Sequence, residues 1–159
     1  MSKAPSFKKL LDLSDRRIEI AERALLRAQE AERLAQGDLE DAKLALNAKK
    51  AEMARARVDV LDRFVGKPTR RVGVSDLLGV LKDQDGAVDA AGLDVDAAQT
   101  KLKEAVAHVA KMAEALQKAR VVQQKREAAF RPKMAELKLA ADKAQEREAE
   151  EEFGYARRF

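Results

Sequence analysis

The run SFKKLLDLSDRRIEIAERALLRAQEAERLAQGDLEDAKLALNAKKAEMARARVDVLDR, residues 6–63, decides the fold. Stepping through it by seven meets Leu11, Ile18, Leu25, Glu32, Leu39, Leu46, Met53 and Val60, all large and apolar but one. Three residues further on stand Ser14, Ala21, Ala28, Ala35, Ala42, Lys49 and Ala56. A seven-residue repeat split in this way marks a helix that buries one narrow stripe against another helix. Charged residues fill the outside. Gly37 alone interrupts, at a cost of about 1 kcal/mol against Ala. The spacing predicts a helix over about residues 6–63, roughly 85 Å long at 1.5 Å per residue. Ser6 is its candidate N-cap, although Lys9 is not the acid a capping box wants.

A second series runs Val95, Leu102, Val109, Leu116, Gln123, Phe130, Leu137 and Ala144, again with one polar member. Its flanking set is Ala98, Ala105, Met112 and Ala119, turning basic at Arg126 and Lys133. This predicts a second helix over about 88–152. Pro132 falls inside it, and a missing amide donor and a ring clash predict a kink near 128–132 or a short break. Residues 153–159 then form a tail. Between the helices, Gly66, Pro68 and Gly73 read as punctuation for a tip over 64–87. Ser75 and Asp76 resemble an N-cap there, with a short helix at about 76–84 that ends by Gly86.

The expected fold class is therefore all-α: a long antiparallel two-helix coiled-coil hairpin, residues 1–159, with a short helical or loop tip. In an antiparallel pair, facing residues share a constant index sum. Glu32 and Gln123, the two polar seam members, sum to 155, as do 39 and 116, 25 and 130, and 53 and 102. That register centres the fold-back at 77.5 and makes Glu32 and Gln123 a hydrogen-bonding layer that fixes alignment at some cost in stability. Sums of 148 or 162, one heptad away, satisfy the apolar spacing equally.

Composition bounds the function. The chain has 159 residues, 38% charged and 4% aromatic, with 31 Ala, 7 Gly, 3 Pro and no Cys or Trp. That profile suits a coiled coil and not a deep globular core. Without Cys there is no disulfide framework or thiolate metal site. No apolar run approaches the roughly 20 residues of a membrane span, and MSKAPSFKKLLDL lacks the apolar core of a secretory signal. One histidine, His108, has no second histidine for a triad or metal site, and no glycine-rich phosphate loop occurs, so no enzyme, cofactor, metal or small-molecule substrate is expected. Between Lys101 and Lys143 there are 11 Lys or Arg against 5 Asp or Glu. The cations are scattered, however, and lack interleaved aromatics, so a solvated helix is favoured over a nucleic-acid surface.

Two apolar sets lie outside the seam. Leu77, Leu78, Val80 and Leu81 at the tip either cap the hairpin or form a docking knob. Phe153, Tyr155 and Phe159 at the C-terminus are either a frayed tail or partner anchors.

Arg17-Ile-Glu19-Ile-Ala21-Glu22-Arg-Ala24 resembles the R-x-E-x-A-E-x-A run near the start of the YscO (SctO) family of type III secretion proteins, relatives of flagellar FliJ. Glu150-Glu151-Glu152-Phe153 resembles the acidic run ending in an aromatic at that family's C-terminus. Chain length and two long helices agree with the family; the Gly/Pro-containing middle and Pro132 are not part of the resemblance. The resemblance implies a cytoplasmic stalk, peripheral to the inner-membrane secretion apparatus. Such a stalk links a hexameric secretion ATPase to the cytoplasmic ring of an export gate and also binds translocator chaperones. The end bearing both termini would meet the ATPase through Lys8, Lys9, Arg16, Arg17, Arg147, Glu150, Glu151, Glu152, Phe153 and Tyr155. The opposite end, with Arg70, Arg71, Leu77, Leu78 and Leu81, would face the gate. A self-assembling coiled-coil scaffold or adaptor and, less favoured, a basic nucleic-acid-binding hairpin are the alternatives.

Overall fold

The computed structural model describes residues 4–64 and 71–158 as two helices, α1 (Ala4–Phe64) and α2 (Arg71–Arg158). The chain is an all-α antiparallel hairpin whose two long helices pack against each other. Contacts divide it into two compact units, to each of which both helices contribute: Leu26–Ala110, and Met1–Leu25 with Lys111–Phe159.

In the unit Leu26–Ala110, Leu39, Val95 and Ala98 form a buried cluster, with Ala42, Leu46 and Leu102 packed against it. These are the predicted seam residues of both series. Ala28 and Ala91 are also buried. Small side chains at the second seam position let the backbones approach closely, so a seam one side chain wide can exclude water.

In the unit Met1–Leu25 with Lys111–Phe159, Leu116 is the buried large residue and Ser14 the buried polar one. Phe7 packs on Phe130 with ring centroids 4.6 Å apart and planes tilted by 34°, and Lys133 Nζ lies 5.4 Å from the Phe7 centroid. Arg120 Nη2 stands 3.6 Å from Glu22 Oε1.

The helix phases match the expectation; the register does not. In the first unit, Leu39, Ala42 and Leu46 of α1 share one cluster with Val95, Ala98 and Leu102 of α2, which taken in antiparallel order match at sums of 140 to 141, and Arg57 reaches Asp85 at a sum of 142. In the second, Phe7 with Phe130 sums to 137 and Ser14 with Arg126 to 140. The expected 155 is thus two heptads too high. Gln123 donates to Asp15 and not to Glu32, so the proposed Glu32–Gln123 layer is not formed.

The cause is the position of the turn. Residues 71–87, expected as tip, are the beginning of α2. Stepping back by seven from Val95 gives Val88, Leu81 and Val74, and from Ala98 gives Ala91, Gln84 and Leu77; none of these is fully exposed. Burial against α1 offsets the helix cost of Gly73, Gly79, Gly86 and Gly92, roughly 1 kcal/mol each. Ser75 and Asp76 lie inside the helix and cap nothing. Only 65–70 remain between the helices, outside the described residues along with Gly66, Pro68 and Arg70. At the other end α2 runs without a break through Pro132 and on to Arg158, so most of the expected tail is helical, while Phe159 lies outside the described residues.

Two outcomes follow from this arrangement. Cysteines replacing Leu39 and Leu102 should form an intrachain disulfide on oxidation, read as a mobility shift under non-reducing conditions, whereas the pair at 39 and 116 should not. A Cβ added at Gly79, Gly86 or Gly92 meets nothing within 4 Å. Each Gly→Ala change should therefore stabilise the hairpin by about 0.5–1 kcal/mol in denaturant titration.

Candidate partner-binding surfaces

The expected ATPase-end residues fall in two separate places. Lys8, Lys9, Arg16 and Arg17 are exposed on the paired part of α1. The Phe7–Phe130 contact fixes where that pairing stops. α1 begins three residues before Phe7, so its start lies alongside about residues 133–137 of α2. Beyond Leu137, every residue of α2 whose side chain is described, 138–157, is exposed. α2 therefore extends about 20 residues, roughly 30 Å, past the first described residue of α1. Arg147, Glu150, Glu151, Glu152, Phe153 and Tyr155 all sit on this extension, Phe153 67% and Tyr155 70% exposed. The structure corrects the expectation of paired termini: the basic set and the acidic–aromatic set are 10 or more residues apart along the axis.

The extension keeps the seam's phase. Leu137, Ala140, Ala144, Arg147 and Glu151 continue the positions that face α1 lower down. The apolar seam thus passes into an acidic stretch, Glu146 to Glu152, which holds five Glu and one Arg. Arg157 lies over the Phe153 ring at 5.6 Å, and its charge near the helix C-terminus complements the macrodipole.

About one turn below the Phe7–Phe130 contact, within the paired part of the helices, is a polar layer. Ser14 Oγ donates to the Leu10 carbonyl at 3.0 Å and accepts from Arg126 Nη1 at 2.6 Å, while Gln123 donates to Asp15 on the next turn. Ser14 and Arg126 occupy seam positions. The signal is Ser14 and Arg126 among the polar entries of the two mostly small-residue series, and it needs the correct register to become a pair.

Of the expected gate-end residues, Leu77 and Leu81 are half-buried seam members, not a docking knob; Leu78 is 60% exposed. Arg71 opens α2, and its side chain and all of Arg70 lie outside what is described. The exposed apolar residues near this end are Leu78 and Val80 on α2 with Val58 and Leu61 on α1. The last two went unnoticed because they stand off the heptad positions.

The ion pairs on the helix surfaces are solvated. Arg33 donates to Glu30 at 3.0 and 2.6 Å, and these hydrogen bonds hold the Glu30 carboxyl below its ordinary range, although both groups are in water. Among the described residues no three His, Cys, Asp or Glu side chains gather where they could hold a metal ion, and no helix is long and apolar enough to cross a membrane. No protein family, curated protein or solved structure matches the chain.

Ser14→Ala would leave the half-buried Arg126 without its acceptor and should cost about 1–3 kcal/mol. A double-mutant cycle with Arg126→Met should show coupling of that order, and the same cycle at Glu32 and Gln123 should show none.

Proposed function

We propose that the chain is a non-enzymatic central stalk of a type III secretion system, coupling the hexameric secretion ATPase to the export gate and binding translocator chaperones. The proposal rests on the resemblance carried by Arg17–Ala24 and Glu150–Phe153. The observation that supports it best is the α2 extension. Glu150, Glu151, Glu152 and Phe153 stand on a lone helix about 10–12 Å across with side chains, a shape that enters a narrower opening than a helix pair does. The ATPase contact is then made by the extension, with Phe153 and Tyr155 as apolar anchors among salt-sensitive acidic contacts. Lys8, Lys9, Arg16 and Arg17 serve as a basic collar farther down. The gate contact falls to Leu78 and Val80 with Val58 and Leu61, since Leu77 and Leu81 are committed to the seam. The place of action is the cytoplasmic side of the inner membrane.

Deleting residues 139–159 removes no buried described side chain, so helicity per residue and thermal midpoint should change little. Stimulation of the cognate ATPase by the purified chain should fall to background. Leu78→Ser with Val80→Ser should leave that stimulation intact and weaken gate binding at least tenfold. If the chain neither binds nor stimulates the ATPase at low salt, the stalk reading is wrong and a coiled-coil scaffold replaces it.

A further inference from the structure

In the unit Met1–Leu25 with Lys111–Phe159, the two broad sides of the helix pair differ in chemistry. One position before the seam residues of α1 stand Leu10, Leu13, Arg17, Ile20 and Ala24. One position before those of α2 stand Lys111, Ala115, Lys118, Val122, Lys125 and Ala129. In an antiparallel pair these two stripes share one side. A small apolar hollow lined by Ser14, Arg17, Lys118, Ala119 and Val122 lies where they meet. The stripes hold four cations and no acid. Their large apolar side chains are uncovered: Ile20 is 65% exposed, and Leu10, Leu13 and Val122 are exposed too. Lys9, Arg16 and Arg23, all exposed, run along the outer edge of α1. On the α2 edge Glu114 pairs with Lys118 at 3.1 Å, in water.

The opposite side carries the acids. Asp12, Asp15, Glu19 and Glu22 stand one position after the α1 seam and are all the acidic residues of α1 up to Leu25. Arg120 of α2 reaches Glu22 there, and Gln123 reaches Asp15. One side of this unit is therefore apolar and basic, the other acidic and internally paired.

We propose that the apolar and basic side is a membrane-surface face, on which this part of the hairpin lies flat against an anionic lipid bilayer. Leu10, Leu13, Ile20 and Val122 sink to the boundary between headgroups and acyl chains. Arg17, Lys118 and Lys125 lie among them, with long stems that keep their charges at headgroup level. The cations supply attraction to anionic headgroups, and the acidic side turns away to water. A flat surface fits better than a third helix. Leu13 and Ile20 do not line the hollow between the helices. A helix seated there would meet Arg17 and the small residues first and leave these two in water. Four large apolar side chains make a modest anchor, so binding is reversible and salt-sensitive. No helix is inserted across the bilayer, and the inference stands apart from the secretion reading: a chain that stimulates no ATPase can still bind lipid this way.

Co-sedimentation of the full chain with vesicles tests it. At low salt the chain should bind vesicles of equimolar phosphatidylcholine and phosphatidylglycerol, release them in high salt, and leave pure phosphatidylcholine vesicles unbound. Leu13→Ser with Ile20→Ser should weaken binding roughly tenfold, and so should Lys118→Glu with Lys125→Glu, whereas Glu19→Gln should not weaken it. The chain has no Cys. An environment-sensitive fluorophore placed on Ile20→Cys and, in a separate chain, on Glu19→Cys therefore reads which side meets lipid, and only the first should shift to the blue. Circular dichroism checks that each variant stays helical; all the changed side chains are exposed. Failure of the wild-type chain to bind the anionic vesicles at low salt overturns the proposal. So does binding unchanged in either double variant, or a blue shift on Glu19→Cys and not on Ile20→Cys. A fluorophore on Ile20→Cys that answers to a soluble peptide of the acidic residues 138–157 and not to vesicles would give this side to a helix, and overturns it as well.

Discussion

The cluster in which Leu39 packs with Val95 and Ala98 is the kind of contact on which everything else in this chain depends. Two helices enclose no volume. They exclude water only along the line where they touch, and only where seven-residue repeats on both meet in phase. Each large layer is worth a few kcal/mol at about 25 cal/mol per Å² of apolar surface removed from water. Many layers must therefore act together, which explains why the repeat persists from Leu11 to Val60 and from Leu81 to Leu137 with so few substitutions. The surface salt bridges contribute little beside it, because almost all are solvated and several link residues one turn apart on the same helix.

The phase of the repeat was readable from sequence because it is a local property: each helix records which of its faces is buried. The register was not, because it depends on where the chain turns, and the turn was inferred from glycines. Gly73 and Gly86 read as breakers, yet Leu77 and Leu81 lie between them, and Val88 just beyond, at seam spacing. A mid-helix glycine costs about 1 kcal/mol, whereas burying a leucine or valine returns about 1.5–3. Magnitudes settle the conflict in favour of helix, and each added turn of α2 slides the whole pairing. The polar layer failed for the same reason. Two polar seam residues at matching sums made a plausible pair under the wrong offset, while Ser14 and Arg126 looked like ordinary interruptions until the offset was corrected.

The candidate surfaces were legible as a set of residues and illegible as an arrangement. Glu150 to Phe153 stands out in sequence as an acidic run with an aromatic. Whether it lies beside Lys8 and Lys9 or far beyond them is decided by the lengths of the two helices, 61 and 88 residues. That difference in turn rests on the turn's position. The misplaced turn therefore carries through to the tip, where Leu77 and Leu81 read as a hairpin cap or a docking knob, and to the termini, which read as a blunt paired end.

Where α1 stops supporting α2, the grounds for helix change. Below Phe130 the backbone is held by burial; beyond Leu137 it is held by composition. Alanine, glutamate, lysine and arginine dominate 138–158, and Lys138 with Asp142 and Arg147 with Glu151 stand at the i,i+4 spacing that supports an isolated helix by a few tenths of a kcal/mol per pair. A helix of this length is marginal by itself in water. Pro132 stands close to the junction and cannot donate to the carbonyl of Ala128, so one hydrogen bond between the supported and unsupported parts is missing. The extension is thus the least stable stretch of α2 and, at the same time, the one with its seam face uncovered. Any helix that supplies the missing side of that seam stabilises it in the way α1 stabilises the rest, so binding and helix formation at this end are coupled.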